Sequence, residues 1–257
     1  MEIVKFKKLK GNLYEIVLDN GLSFKLYDDV IVKYNLLVNK RFDDKFFMEV
    51  TSYNDSLDAY YTCIKYLNTK MRSEVELRKY LDKKGISKEV CDKTIDRLKK
   101  SGYLNRELYI KSYIADAFNF SNNGPVKIMK SLNALGFSDE EVKPFLDLDF
   151  DSKAIKLIDK KLKSNKLSAS NFRMHTSNYL VNLGYPKEVF SEYLMGVHVS
   201  DDGNLEKDYN MLMRKYSKKY SGDKLKYFIK GKLYQKGYIL EKIGEVIDEQ
   251  GRKEEVI

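Results

Sequence analysis

Lysines and arginines, gathered in several short clusters, are the residues of this chain whose chemistry stands out. The sequence has 47 basic and 38 acidic residues and a formal net charge of +9. An ammonium or guanidinium group contacts a phosphate through its charge alone, without the geometry that base recognition requires. The clusters therefore predict contact with an anionic partner such as DNA. The candidate residues are Arg72, Arg78, Lys79, Lys83, Lys84, Arg97, Lys99, Lys100, Lys160, Lys161, Lys163, Arg214, Lys215, Lys218, Lys219, Lys226 and Lys230.

Two interpretations of these clusters stay open. Tyr216, Tyr220 and Tyr227 lie beside the last clusters and are suited to stacking on unpaired bases. However, basic residues in the last turn of a helix also complement the helix dipole. Tyrosines spaced three or four residues apart on a helix are commonly core residues.

Residue types for metal binding and nucleophilic catalysis are scarce. The two histidines, His175 and His198, form no His-Glu-x-x-His motif, and Cys63 and Cys91 form no Cys-x-x-Cys pair. The glycine-rich phosphate-binding and dinucleotide-binding motifs are also missing from the sequence. We therefore expect a protein that is not an enzyme and uses no metal or cofactor. We expect both cysteines to be buried, reduced thiols.

The composition predicts a soluble, cytoplasmic protein. Hydrophobic residues make up 43% of the 257 residues, charged residues 33%, and the mean hydropathy is −0.51. No apolar run approaches the roughly 18–20 residues that span a bilayer. Residues 1–7 alternate apolar and polar side chains instead of forming the apolar block of a signal peptide. We expect no membrane contact.

The first 54 residues predict a small unit of strands and one helix. Two stretches with alternating side chains, Tyr14–Leu18 and Leu22–Leu26, are joined by Asn20-Gly21. This pattern predicts a hairpin closed by a type I′ turn, which needs positive φ at both central residues. Residues 3–6 can add a third strand, and a short helix is predicted from Asp28 through Leu36.

From residue 55 onward a helical pattern occurs four times, about every 50 residues. In each copy a leucine precedes a glycine by four residues, and a glutamate follows that glycine by four. We predict that the leucine is the last core position of a helix and that the glycine takes the left-handed conformation just beyond it. The pairs are Leu81 and Gly85, Leu132 and Gly136, Leu180 and Gly184, and Leu233 and Gly237.

The spacing of these pairs leaves room for a third helix in every repeat. The predicted divisions are an N-terminal hairpin and helix unit at 1–54 and three-helix repeats at 55–104, 105–150, 151–202 and 203–257. Repeats of this size must stack on their neighbours to bury a core. The predicted fold is therefore mainly α: tandem three-helix repeats stacked in an elongated, curved solenoid behind the small β-hairpin unit.

The first repeat resembles the signature of the RecX family. Arg72-Ser73-Glu74 opens a helix that continues through Glu76-Leu77 and ends at Lys84-Gly85, and a later helix ends in Gly102-Tyr103-Leu104. Ser73 and Glu76 also have the spacing of a capping box. Asn123-Gly124-Pro125 is similar to the turn that opens the second repeat's middle helix in that family. The leading hairpin and the length resemble the longer RecX proteins of low-GC Gram-positive bacteria.

One position departs from the family pattern. RecX proteins usually have an acidic pair after Gly-Tyr-Leu, whereas this chain has Asn105-Arg106. Any role of those acidic residues therefore does not carry over to this chain.

The resemblance implies a regulatory protein. RecX proteins bind RecA and the RecA filament on single-stranded DNA, and they modulate recombinase, ATPase and co-protease activity, mostly as inhibitors and without a cofactor. We accordingly expect RecA as partner, direct contact with DNA through the basic clusters, and a monomer. Two other classes stay open: a sequence-nonspecific DNA-binding repeat protein without a RecA role, and a scaffold for an unrelated acidic partner.

Overall fold

The computed structural model describes the backbone of residues 1–255 and the side chains of residues 1–250. This part of the chain contains one three-stranded sheet and thirteen α-helices. The predicted class, mainly α behind a small leading β unit, is confirmed. Residues 256 and 257, the last two of the predicted fourth repeat, lie outside the described residues.

The leading unit contains the predicted hairpin, but its predicted turn type is wrong. Strands β1 (Ile3–Lys8), β2 (Leu13–Leu18) and β3 (Ser23–Tyr27) form an antiparallel sheet in the order β1-β2-β3. Gly21 has a φ of 81°, whereas Asn20 does not have positive φ. The Gly21 N–H donates to the Leu18 carbonyl at 3.0 Å, and the Leu18 N–H donates to the Leu22 carbonyl at 2.9 Å. The connection is therefore a three-residue loop with glycine in its left-handed position.

The second helix of the chain joins the leading unit to the first repeat. Helix α1 (Asp28–Lys33) begins at the predicted residue but ends before the predicted Leu36, since Asn35 has a positive φ of 49°; α2 (Asp44–Leu67) follows it. Leu57 of α2 belongs to the core of the leading unit, whereas Cys63, less than two turns later, belongs to the core of the first repeat. The predicted boundary between residues 54 and 55 thus falls inside one continuous helix.

Each predicted repeat contains three α-helices. The helices that follow α2 are α3 (Glu74–Lys83), α4 (Lys88–Lys100), α5 (Arg106–Phe120), α6 (Pro125–Ala134), α7 (Asp139–Val142), α8 (Phe150–Lys163), α9 (Ala169–Leu183), α10 (Ser191–Gly196), α11 (Asp202–Tyr216), α12 (Gly222–Gln235) and α13 (Leu240–Glu255). The third helix of the second repeat, α7, has only four residues. It passes directly into a 3-10 turn at Lys143–Phe145, where Pro144 has no N–H to continue the α-helical hydrogen bonds.

The chain also forms two compact units that do not follow the repeat boundaries. One contains Met1–Tyr113 and Leu132–Glu141, and the other contains Ile114–Ser131 and Val142–Ile257. The second repeat therefore contributes residues to both units, and the division into repeats stays a prediction.

The four leucine–glycine pairs end the middle helices of the repeats as predicted. All four leucines are fully buried, and the four glycines have φ values from 73° to 89°. In every case the N–H of the residue after the glycine donates to the leucine carbonyl, at 3.0–3.3 Å. This is the long-range hydrogen bond of a Schellman motif, which satisfies a carbonyl at the helix end.

Three of these glycines lie where the middle helices of successive repeats meet. At each junction, the glycine at the end of one middle helix packs against the first residues of the preceding one. A Cβ added to Gly136 or Gly237, or to Gly124, which lies opposite Gly184, would be only 2.6–2.9 Å from the residue opposite. The contacting pairs are Gly136 with Val75, Gly184 with Gly124, and Gly237 with Ser168.

Candidate interaction surfaces

Arg72, the first candidate residue, lies beside the capping box at the start of α3. The Ser73 hydroxyl accepts from the Glu76 N–H at 3.2 Å, and the Glu76 carboxylate accepts from the Ser73 N–H at 2.8 Å. The Arg72 guanidinium lies 4.2 Å from the centroid of the Tyr66 ring and 3.4 Å from the Glu76 carboxylate. Only 16% of the Arg72 side chain is exposed. Arg72 is therefore largely enclosed by its own repeat.

Glu74 holds two further candidate cations in an ion-pair network. Its carboxylate lies 2.8 Å from Arg78 Nε and 2.8 Å from Lys99 Nζ, and Arg78 also lies 2.6 Å from Asp92. Burial acts to raise the pKa of Glu74, but hydrogen bonds from Lys99 and Arg78 outweigh it and lower that pKa. Hydrogen bonds to Asp92 and Glu74 raise the pKa of Arg78. Arg78 and Lys99 thus have partners within the first repeat.

The remaining candidates of the first repeat are more accessible. Lys79, Lys83 and Lys84 on and just after α3, and Lys100 at the end of α4, are exposed. These four lysines have no carboxylate partner among the described residues. Arg97 is half-buried, with its guanidinium 4.3 Å from the centroid of a tyrosine ring of α2.

The residues that resemble the RecX signature meet around one cavity of about 200 Å³. One part of its wall is the start of α3, and another is the segment between α4 and α5. A cavity of this size accommodates one large side chain, since an apolar cavity of about 150 Å³ binds benzene. We call it the signature cavity. Its lining residues are Met71, Arg72, Ser73, Glu74, Lys99, Tyr103, Leu104, Asn105, Arg106, Tyr109 and Phe137.

Arg106 joins two parts of the wall of this cavity through hydrogen bonds. It lies where the chain departs from the family pattern. Its guanidinium binds both Glu141 carboxylate oxygens, at 2.7 and 2.8 Å, and donates to the Gly136 carbonyl at 2.8 Å. The hydrogen bonds from Arg106, and to a smaller extent the one from the Ser138 N–H, lower the pKa of the Glu141 carboxyl to about 2. Asn105 accepts a hydrogen bond from the N–H of Leu108 and caps α5. Sequence reasoning missed this pair because Glu141 lies 35 residues beyond Arg106.

The third-repeat candidates lie in the last turn of α8: Lys160, Lys161 and Lys163. Lys160 and Lys163 are exposed, whereas Lys161 is half-buried, 4.0 Å from the centroid of the Tyr179 ring. A lysine that the sequence pattern did not single out, Lys153, is also partly buried. It donates to the Phe118 carbonyl, and burial lowers the pKa of its ammonium group.

The six candidates of the fourth repeat are all exposed. None of them pairs with a carboxylate in the part of the chain that the structure describes. Other lysines of the repeat do have such partners, Lys236 with Asp208 at 2.6 Å and Lys242 with Asp202 at 2.9 Å. The six residues, called here the fourth-repeat basic surface, are Arg214, Lys215, Lys218, Lys219, Lys226 and Lys230.

The structure separates the three tyrosines that sequence reasoning grouped together. Tyr216 and Tyr220 pack on Phe228, with ring centroids 4.8 and 4.9 Å apart, against the core of the fourth repeat. For these two, the interpretation as core residues is the one that holds. Tyr227 is 81% exposed, and so is available for stacking.

Both cysteines are buried free thiols in the core of the first repeat, as predicted. Burial raises the pKa of Cys63 to about 12.

Across the described residues, no cluster of three or more histidine, cysteine, aspartate and glutamate side chains is suited to hold a metal ion. Every helix in that same part of the chain is too short or too polar to span a bilayer.

Comparison with known proteins gives matches along nearly the whole chain. The family model described as RecX, first three-helix domain, matches residues 59–98. A regulatory protein RecX from Streptococcus agalactiae serotype Ia is 30% identical, over 97% of this chain and 99% of that protein. The regulatory protein RecX of Bacillus subtilis is 28% identical, over 96% of this chain and 98% of that protein.

Two solved structures share the fold. A crystal structure of regulatory protein RecX matches with a TM-score of 0.66 and 20% identity, over 74% of this chain and 97% of that one. The crystal structure of RecX from Lactobacillus salivarius matches with a TM-score of 0.51 and 21% identity, over 56% of this chain and 96% of that one. Because 30% identity to a regulatory protein RecX extends over nearly the full length of both proteins, this chain belongs to the RecX family.

Proposed function

We propose that this protein binds RecA, including the RecA filament on single-stranded DNA, and lowers its recombinase, ATPase and co-protease activities. The observation that carries the proposal is that the signature residues Arg72–Glu74, Tyr103 and Leu104 converge on one cavity. The relatives that match over their full length are regulatory proteins, which supports action by binding rather than by catalysis.

The signature cavity has the features of an anchor site for one side chain of RecA. Phe137 is buried in its wall, whereas Tyr103 and Met71 are 50% and 40% exposed. Arg72 and Arg106 are held by carboxylates of this chain, so the wall keeps its geometry without a partner. A large apolar side chain in such a preformed pocket is typical of the few residues that dominate binding energy at an interface.

The exposed lysines of the first and fourth repeats supply a second, weaker contribution. When such side chains neutralise phosphates, condensed counterions are released, and the affinity gained depends steeply on salt. In this proposal they hold the protein near the DNA of the filament, while the signature cavity selects RecA.

A titration of RecA-driven ATP hydrolysis on single-stranded DNA tests the proposal. We expect the protein to slow hydrolysis, and we expect Tyr103→Ala to need several-fold more protein for the same inhibition. Tyr193→Ala, which removes a tyrosine that is 39% exposed on α10, is the matched control and should inhibit like the wild type. No inhibition at several-fold excess over RecA would refute the proposal.

The fourth-repeat basic surface favours one alternative, a sequence-nonspecific DNA-binding protein without a RecA role. Co-sedimentation with preformed RecA filaments, compared with bare DNA, separates the two functions. Equal binding to both would favour the alternative, and preference for the filament would favour the proposal. A scaffold for an unrelated acidic protein would bind neither at low salt.

We also propose that the protein is a monomer and that it acts in the cytoplasm. A single chain has a mass of 30.1 kDa. Light scattering at working concentrations tests the monomer, since a dimer would give twice that mass.

A further inference from the structure

Helix α12 carries two exposed tyrosine rings on one side. Tyr227 is 81% exposed and Tyr234 is 59% exposed. They are seven residues apart, close to two helical turns, so they project in nearly the same direction about 10 Å apart along the axis. Tyr209 and Tyr238 of the same repeat are buried, which shows that the repeat has core positions for tyrosine side chains.

The same face of α12 is positively charged. Lys226 and Lys230, one turn apart, are exposed beside the two rings and have no carboxylate partner among the described residues. The helix contains one acidic residue, Asp223 in its first turn. The other members of the fourth-repeat basic surface lie just before α12 in sequence, at the end of α11 and in the segment after it.

The surface around the rings is open. Gly231 lies between the tyrosines in sequence, and a Cβ there would meet nothing within 4 Å. Tyr234 also forms one wall of an open depression of about 640 Å³, whose other lining residues include Ser170, Gly237 and Leu240. A flat ring stacked on Tyr234 would therefore have space beside it.

We propose that this face of α12 is a binding platform for single-stranded nucleic acid. Unpaired bases stack on Tyr227 and Tyr234, while Lys226 and Lys230 contact the phosphates. Every base has a π-face, so stacking on exposed aromatic rings tolerates any sequence, and a positively charged track follows the backbone. In a duplex the same base faces are covered by neighbouring base pairs, so the platform prefers single strands. The site is independent of RecA and concerns this chain and DNA alone.

Binding of a labelled oligothymidylate, followed by fluorescence anisotropy without RecA, tests the platform. Removing one stacked ring costs on the order of tenfold in affinity. We expect Tyr227→Ala and Tyr234→Ala each to weaken binding by about tenfold, and Tyr227→Phe and Tyr234→Phe, which keep the ring, to bind nearly like the wild type. Both alanine variants should leave the weaker binding to a hairpin duplex unchanged. Equal loss for alanine and phenylalanine, equal loss for both DNA forms, or no loss would each overturn the proposal.

A second measurement separates stacking from charge. The Lys226→Gln/Lys230→Gln variant should reduce the slope of log affinity against log salt by about 1.4, whereas the alanine variants should keep the slope. The chain contains no tryptophan, so Tyr227→Trp introduces a single reporter whose fluorescence a stacked base quenches. Tyr193→Trp on α10 is the control. Quenching at neither position, or equal quenching at both, would contradict base stacking on α12.

Discussion

The backbones of Gly124 and Gly184 are in direct contact. A Cβ on Gly124 would stand 2.6 Å from the carbonyl carbon of Gly184, and the Gly124 N–H donates to the adjacent Leu183 carbonyl at 2.7 Å. The Val126 N–H donates to the Gly184 carbonyl at 3.1 Å. N–H groups at the start of α6 thus satisfy carbonyls at the end of α9, which neither helix can satisfy internally. The arrangement also brings opposite ends of two helix dipoles together.

We therefore expect Gly124→Ala to destabilise the protein, because its methyl group has no space between these backbones. The expected loss is about 1–3 kcal/mol in the free energy of unfolding, measured by urea denaturation. Gly184→Ala should cost at least as much, since its φ of 88° also disfavours alanine.

Gly231→Ala is the matched control for these two substitutions. Gly231 lies inside α12 with open space around it, so alanine there should stabilise the protein by up to about 1 kcal/mol. Equal effects at all three positions would contradict close backbone packing at Gly124 and Gly184.

The capping box of α3 gives a second prediction. Ser73 is 2% exposed, and its hydroxyl accepts from the Glu76 N–H. Ser73→Ala should therefore cost about 1–2 kcal/mol, because it leaves an unsatisfied N–H at the helix start. Ser87→Ala is the control: its cap on α4 is exposed and longer, at 3.4 Å, so its loss should be smaller. The reverse order in chemical denaturation would show that the Ser73 cap contributes little.

The regular features of the fold follow from local patterns in the sequence. The leucine–glycine pairs predicted four helix ends because the left-handed conformation strongly favours glycine. The Ser73–Glu76 spacing predicted a capping box for the same kind of reason: its hydrogen bonds join residues only three apart. The type I′ turn predicted at Asn20-Gly21 was wrong, because the same dipeptide also fits a three-residue loop in which only the glycine has positive φ.

The candidate surfaces were harder to predict, because their chemistry depends on contacts between distant residues. Glu74 pairs with Lys99 and Arg106 pairs with Glu141, and neither pair has a local spacing rule. Clusters of basic residues therefore looked alike in sequence, although some cations have internal partners and others do not. The exposure of Tyr234 was also missed, since helical spacing alone does not distinguish a core tyrosine from an exposed one.

Arg106 and Glu141 predict how stability changes with pH. The pKa of Glu141 in the folded protein is about 2, below its ordinary value of 4.5, mainly because of Arg106. The pair therefore contributes its full stability above about pH 4.5 and loses it as the pH falls toward 2. Melting temperatures measured by circular dichroism should fall less steeply over this range in Glu141→Gln than in the wild type. Glu107→Gln, which removes an exposed carboxyl from α5, should keep the wild-type slope.

Burial of the cysteines predicts their reactivity. Cys63 is fully buried, and burial raises its pKa to about 12, so at pH 8 almost none of it is the reactive thiolate. Burial also raises the pKa of Cys91. We expect neither thiol to react with a disulfide reagent in the native protein and both to react in denaturant. Rapid labelling of Cys63 under native conditions would contradict the packing of the first repeat.

Charge reversal separates local contact from overall charge in DNA binding. Lys215, Lys218 and Lys219 belong to the fourth-repeat basic surface, and replacing all three by glutamate should weaken binding to single-stranded DNA. If each contacts one phosphate, the slope of log affinity against log salt should become shallower by about 2, because each contact contributes about 0.7.

Lys5, Lys8 and Lys10 of the leading unit are also exposed, and replacing them by glutamate changes the net charge by the same amount. If the fourth-repeat basic surface is the contact, this control variant should retain the wild-type slope and lose little affinity at moderate salt, where charges that do not touch the DNA are largely screened. Equal losses in the two variants would mean that DNA responds to the overall charge of the protein. The fourth-repeat basic surface would then have no distinct role.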